Sequence, residues 1–270
     1  MLSLQPIARS ANMVRRAGVV LGTLSVTLYF CLLVIGRAAI GRLRREHVDG
    51  YTRAWSAALL RLVSMRMTVH GQCPDFNDGR RYLILCTHSS HYDIPASFVA
   101  MPGSIRMLAK SELYRIPFLG RAMRAAEFPS VDRHNAQQAR RDLQRARQMM
   151  ESGVVLWAAP EGTRSADGRL QPFKKGCFHL ALDTEAVIVP VAIRGIQHVL
   201  PARTWRLNLD QPVQLVIGSV IDASRYDRDS LATLMADTRQ CMEALLQGAE
   251  IAPLADRGMT VVIENCAHDG

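Results

Sequence analysis

His88 and Asp93 stand five positions apart in the block His88-Ser89-Ser90-His91-Tyr92-Asp93, directly after the apolar run Tyr82-Leu83-Ile84-Leu85-Cys86. Histidine is the side chain whose ordinary pKa lets it take a hydroxyl proton near neutral pH. A carboxylate bonded to its other ring nitrogen fixes the tautomer and stabilises the imidazolium that forms. Such a pair suits attack of an alcohol on an activated acyl group, with the acceptor supplying the nucleophile and no enzyme serine required. Along a continuous helix five residues turn through about 140°, which would splay the two side chains apart. They meet only if the chain bends between them, as it would where strand 82–86 passes into a helix. Asp93-Ile94-Pro95 suits such a start, with the proline in the first turn. Two other readings stand beside this one: Asp93 caps the helix while His88 merely ends a strand, or His91 replaces His88 as the base.

A second block, Pro160-Glu161-Gly162-Thr163-Arg164-Ser165, follows the apolar run 154–159. It suits a phosphate. Gly162 permits a tight turn and close approach of backbone N–H groups, Thr163 can donate a hydrogen bond, and Arg164 can clamp two phosphate oxygens at once. Glu161 is no obvious anion ligand; it is expected to bond a substrate hydroxyl or to orient an arginine. Both apolar runs are short enough to be buried strands, so both blocks belong at strand ends, where α/β enzymes assemble their sites.

A His-x4-Asp block followed by Pro-Glu-Gly-Thr-Arg resembles the lysophospholipid acyltransferase family, whose bacterial members acylate 1-acyl-glycerol 3-phosphate. The resemblance covers residues 65–220 and selects His88 as base, with Asp93 as its orienter. Glu127-Phe128-Pro129-Ser130-Val131-Asp132-Arg133 resembles the family's strand ending in Asp-Arg, which implies that Arg133 helps hold the acceptor phosphate; Glu127 and Pro129 depart from the family's pattern there. Ile188-Val189-Pro190-Val191 is similar to the family's proline block, which implies that Pro190 shapes the substrate pocket. The chain has thirty arginines and three lysines, and Lys110, Lys174 and Lys175 all fall in stretches similar to family segments. Lys110 and Lys174 are therefore further substrate-binding candidates.

The resemblance implies transfer of a fatty acyl group from acyl-carrier protein or acyl-CoA to the free hydroxyl of a lysophospholipid. The simplest acceptor is 1-acyl-glycerol 3-phosphate, giving phosphatidate. A lyso-aminolipid such as lyso-ornithine lipid is an alternative acceptor, and a non-catalytic membrane protein that binds anionic lipid is an alternative of another class. No metal or redox cofactor is implied, the thioester being a substrate. The first block also looks superficially like the Thr-His-x-His-x-Asp-His zinc block of metallo-β-lactamase-fold hydrolases. Here one extra residue separates the histidines and Ile94 stands where the last histidine should be, so the fixed geometry of such a metal site is lost.

The positive charge is uneven. Of the net +9, residues 1–66 hold +8, from ten arginines against Glu46 and Asp49. Within them Ala17–Gly36 is a twenty-residue stretch without a formal charge, bracketed by Arg15-Arg16 and by Arg37, Arg42, Arg44 and Arg45. That length can cross a hydrocarbon core as a helix, and the arginines can reach anionic headgroups. It is long for a cleaved signal peptide and no Ala-x-Ala site follows, so a retained anchor is expected, in the inner cell membrane with the catalytic domain on the cytoplasmic face. Arginines at both ends leave open whether it spans or lies half-buried. Aromatics make up 6% of the chain and are not interleaved with the arginines, which argues against a nucleic-acid partner. The six cysteines show no C-x-x-C spacing and read as reduced thiols.

Residues 51–64 carry Trp55, Leu59, Leu62 and Val63 at helical spacing, and 65–70 alternate as a strand. Strands are then expected at 82–86, 105–109, 128–131, 154–159, 187–193 and 213–218. Helices are expected from 94 and over 117–126, 134–152, 176–184 and 230–247, with a long loop from 160 to 174. The alternation predicts an α/β fold, a central mixed sheet flanked by helices and preceded by a membrane-anchoring helical segment. Three parts are expected: an anchor and amphipathic helix at 1–64, the α/β domain at 65–247, and a tail at 248–270 with no assigned role.

Overall fold

A computed structural model describes Pro6, residues 11–131 and residues 136–248; the tail beyond Gly248 lies outside them. The chain opens with two helices, α1 (Met13–Ala39) and α2 (Arg45–Leu62). It continues through β1 (Arg66–His70), β2 (Tyr82–Cys86), α3 (Asp93–Ala100), β3 (Ile105–Met107), β4 (Ala109–Lys110), α4 (Leu119–Ala125) and β5 (Ser130–Val131). Then come α5 (Ala136–Glu151), β6 (Val155–Ala158), α6 (Gly176–Asp183), β7 (Val187–Arg194), β8 (Pro212–Ile217), β9 (Ile221–Asp222) and α7 (Leu231–Gln247).

The main sheet runs β1-β8-β7-β2-β6-β3, with β9 on β7. All its ladders are parallel except β7 with β8 and β7 with β9, so the sheet is mixed, as expected. β2 lies between β6 and β7 with every residue buried. A strand covered on both faces reads as a continuous apolar run, which is what Tyr82–Cys86 presents. Successive side chains point to opposite faces: Ile84 and Cys86 join the core shared with residues of α2 and α3, while Leu83 and Leu85 join the core with α5, α6 and α7. The expected strand 105–109 divides. Leu108 N still donates to Trp157 O at 2.8 Å, but Ala109 N turns to Pro129 O at 2.9 Å, and β4 pairs with β5 in a separate two-stranded sheet.

α1 and α2 pack against the α/β domain. Val19 of α1 and Leu59 and Leu60 of α2 are buried in the same cluster as Met67 and Ile84, and Trp55 Nε1 donates to Thr27 Oγ1 at 3.1 Å across the two helices. The collar of arginines is only partly free. Arg45 donates to Glu127 Oε2 at 2.7 Å and to the carbonyl of Ser152 at 2.7 Å, so Glu127, one of the two residues that depart from the family pattern, anchors the start of α2.

α1 is apolar all round, yet only one side packs on the body. Among the described residues thirteen large apolar side chains are exposed, and nine of them lie in α1 or at its C-cap, Leu21 at 64% and Leu24 at 62% among them. A helix hydrophobic on every side needs an apolar medium on every side; the protein covers only one side of it.

Arg106 fastens α2 to the sheet edge. Its side chain is fully buried, with Nη1 2.6 Å from Asp49 Oδ1 and Nε donating to Ala126 O at 2.8 Å; Asp49 also accepts from Ser104 Oγ. Removing one partner of a buried pair strands the other, at a cost of about 3–5 kcal/mol. Arg106→Ala should therefore lower the unfolding free energy by about that amount, while Asp49→Asn, which keeps an acceptor, should cost less; denaturant unfolding in detergent measures both.

Candidate active site

β2 and β6 are parallel neighbours, Leu83 opposite Leu156 and Leu85 opposite Ala158. Their C-terminal ends therefore lie side by side, and the two sequence blocks that follow them meet. His88 comes two residues after β2, and Pro160 two residues after β6.

The chain bends between His88 and Asp93 as the pairing requires. His88 Nδ1 lies 2.8 Å from Asp93 Oδ2. The same oxygen accepts from the backbone N–H of Ser89 at 2.7 Å and of Ser90 at 2.9 Å. Asp93 is the first residue of α3, but its carboxylate points back into the loop and not forward onto the helix N–H groups, so the capping reading does not describe it. With Oδ2 as acceptor, Nδ1 of His88 carries the proton and Nε2 keeps its lone pair. The imidazole side chain is 19% exposed and the carboxylate not at all. Beneath the pair, Trp157 presents its ring edge-on to His88 at 6.4 Å between centroids, and its Nε1 donates to Ser97 Oγ at 3.1 Å. Ser97 Oγ in turn donates to the carbonyl of Asp93 at 2.8 Å. Trp157 and Ser97 carry no sequence signal beyond membership of an apolar strand and a helix.

Glu161 departs from expectation. It is buried, its Oε1 accepts from the N–H of His88 at 2.8 Å, and its Oε2 accepts from the N–H of Gln171 at 2.8 Å. Neither oxygen meets an arginine among the described residues. The carboxylate is a clip that holds His88 against the loop 160–174, and burial raises its pKa against the lowering effect of those two bonds. Ser165 N donates to the carbonyl of His88 at 2.7 Å, a second tie between the blocks. Gly162 sits at φ +73°, in the left-handed region, and its N–H closes the turn onto Ala159 O at 3.1 Å. That turn brings Thr163 to the surface and Arg164 to His91, whose pKa falls through desolvation and the positive charge of Arg164. His91 is exposed, and among the described residues no carboxylate bonds to its ring.

The remaining candidates are spread around this centre. Lys174 is exposed at the end of the loop, with its N–H on Pro160 O at 2.7 Å. Lys110 ends β4 opposite Val131 and pairs with Glu112 at 2.8 Å. Arg133 lies outside the described residues. Pro190 is buried in β7 opposite Leu85. It falls between the stretch of β7 that pairs with β9 and the stretch that pairs with β8, where its missing N–H costs no ladder bond. Among the described residues no three His, Cys, Asp or Glu side chains converge as a metal site, and Cys31, Cys73, Cys86, Cys177 and Cys241 are free thiols.

Residues 66–194 match the family described as Acyltransferase. A 1-acyl-sn-glycerol-3-phosphate acyltransferase of Cocos nucifera is 32% identical over 163 residues, 60% of this chain and 48% of that one. The protein of the same name from Haemophilus influenzae is 28% identical over 223 residues, 81% of this chain and 91% of that one. The chain thus spans about half the length of the plant relative and most of the bacterial one. The crystal structure of the 1-acyl-sn-glycerophosphate acyltransferase PlsC of Thermotoga maritima superposes with a TM-score of 0.65 at 23% identity, covering 88% of this chain and all of that one. With its two blocks joined at adjacent strand ends over the matched segment, residues 66–194 form a domain of the acyltransferase family.

Proposed function

We propose that the protein is an O-acyltransferase that moves a fatty acyl group from a thioester, acyl-CoA or acyl-carrier protein, to the free hydroxyl of 1-acyl-glycerol 3-phosphate. The observation that carries this reading is the 2.8 Å bond between His88 Nδ1 and a carboxylate sealed from solvent. Nε2 of His88 takes the hydroxyl proton as the oxygen attacks the thioester carbon. Asp93 stabilises the imidazolium so formed. Collapse of the tetrahedral intermediate breaks the C–S bond, and the imidazolium returns its proton to the departing thiolate. Glu161 and Asp93 act on the geometry of His88, and the turn at Gly162 presents Thr163 and Arg164 to the acceptor phosphate, with Arg133, Lys110 and Lys174 as further contacts.

An apolar cavity of about 110 Å³ between the first two helices and the sheet supports the lipid nature of the substrate; Ile94, next to Asp93, lies in its wall with Phe30, Tyr51, Trp55 and Phe98. The exposed apolar side of α1 supports membrane residence. Because α1 packs on the body near both of its ends, at Val19 and at Val34, it lies in one leaflet beside the domain. We assign the site to the cytoplasmic side of the inner membrane, where soluble thioesters and reduced thiols persist.

Purified protein in detergent, given an acyl thioester and labelled lysophosphatidate, should form phosphatidate, and unlabelled lyso-ornithine lipid should compete poorly; absence of product would leave a lyso-aminolipid acceptor or a non-catalytic lipid-binding protein. His88→Ala should lower kcat at least ~10²-fold with the fold intact, and His91→Ala much less; the reverse ranking moves the base to His91. Glu161→Ala leaves two backbone N–H groups without their acceptor, each worth about 1–3 kcal/mol, so both the unfolding midpoint and kcat should fall with little change in acceptor KM. Glu161→Gln, with one acceptor retained, should be intermediate. Since burial raises the folded pKa of Glu161, its contribution to stability is full below the ordinary carboxylate range and is lost as pH rises through the raised value. The Gln variant should flatten that part of the pH–Tm curve. Arg164→Lys keeps the charge but loses the planar fork, and should raise acceptor KM well above any change in donor KM; a rise confined to the donor would reassign Arg164 to the thioester.

A further inference from the structure

The loop between β7 and β8 carries four consecutive exposed residues, Arg203-Thr204-Trp205-Arg206, between buried Ala202 and Leu207. Trp205 is 90% exposed, more than any other large apolar side chain among the described residues. An indole offers a large apolar area and one N–H donor, and among the described residues neither is used by the protein. The loop is nonetheless well built. Asn208 closes its neck, with its N–H on Val199 O at 2.9 Å and its Nδ2 on His198 O at 2.6 Å. Thr204 folds its N–H and its hydroxyl onto Pro201 O at 3.2 and 3.0 Å. The tryptophan is thus held out on a braced turn.

Both ends of the loop are tied to parts already described. Leu200 O accepts from Ser90 Oγ at 3.2 Å, inside the His88–Asp93 block. Leu207 O accepts from Ala11 N at 3.1 Å, at the start of α1. Met13 and Val14, 83% and 82% exposed, follow Ala11 by two and three residues, and Trp205 precedes Leu207 by two. The apolar side of α1 therefore continues onto the loop, and exposed Arg15, Arg203 and Arg206 stand beside these apolar residues in the sequence. An aromatic between two arginines, next to a helix that needs an apolar medium, fits the headgroup region of an anionic bilayer. There the ring enters the acyl boundary and the guanidinium groups meet phosphate.

We propose that Arg203–Arg206 is a second membrane contact, with Trp205 inserted at the headgroup–acyl boundary of an anionic phospholipid bilayer and Arg203 and Arg206 on lipid phosphates. The proposal rests on the reading of α1 as a helix seated in one leaflet. It gives the site a lateral supply: the loop that touches the bilayer is bonded to Ser90, so the acceptor reaches His88 from the lipid plane.

The test uses the full chain reconstituted in phosphatidylglycerol–phosphatidylcholine vesicles. Trp205 emission is the difference between the wild-type chain and Trp205→Phe, since Trp55 and Trp157 remain in both. Lipids brominated on the acyl chains should quench that difference emission and aqueous iodide should not. Replacing Arg203 and Arg206 together by Gln should weaken the bromolipid quenching in anionic vesicles and leave it unchanged in pure phosphatidylcholine. Emission quenched by iodide and untouched by bromolipid overturns the proposal and leaves the loop to a soluble acidic partner. A reporter, Leu24→Trp in the Trp205→Phe background, separates the two levels. If bromolipid quenches it while Trp205 escapes, the loop proposal alone fails; if it escapes as well, the seating of α1 fails with it.

Discussion

Into one oxygen of Asp93, a side chain with no exposed surface, converge the ring N–H of His88 and the backbone N–H groups of Ser89 and Ser90. Taking a carboxylate out of water costs several kcal/mol unless donors replace its hydration, and all three donors come from the five residues before it. The carboxylate therefore folds its own approach loop around itself. That loop must leave β2 and reverse before α3 begins. The reversal fixes the tautomer of His88 and turns its second nitrogen outward. Beneath it, the Trp157–Ser97–Asp93 chain of hydrogen bonds locks the first turn of α3 to β6, so the orientation of the base is inherited from the sheet.

Glu161 solves a related problem at the neighbouring strand. Where a parallel sheet ends, backbone N–H groups lose their ladder partners and must find others. The N–H of His88 and that of Gln171, far apart in sequence, are both satisfied by this one buried carboxylate. The two blocks are thus joined through backbone, which accounts for a glutamate that meets no arginine among the described residues in the middle of a phosphate-suited loop. The side chains that the turn at Gly162 carries outward are those of its neighbours, Thr163 and Arg164.

The first two helices are bound to this framework by charge as well as by packing. Arg45 grips Glu127 and Ser152, and Arg106 grips Asp49 from a buried position on β3. α1 then covers α2 and α4 with one side and leaves the other apolar and open. The open side of α1 is continuous with the exposed end of the chain at Met13 and Val14, beside the loop bonded to the His88–Asp93 block.

Much of this was legible in the residues alone. The order of strands and helices follows from apolar runs of strand length alternating with helical periods. The His88–Asp93 pairing follows from chemistry and the need for a bend. The long apolar first helix follows from twenty uncharged residues. Three things were not legible. The role of Glu161 depends on which two strands are neighbours, and no local pattern encodes that β6 lies beside β2. The split of 105–109 into β3 and β4 depends on Pro129 O competing for Ala109 N across a long separation. The integration of the N-terminal helices depends on Arg106, which reads as a lone charge in an edge strand and acquires meaning only when Asp49, fifty-seven residues earlier, is packed against it. Local preferences and periods act over a few residues and so are written in the sequence. Which buried N–H meets which buried carboxylate is decided by packing across the sheet, where the cost of an unpaired polar group selects one arrangement among many.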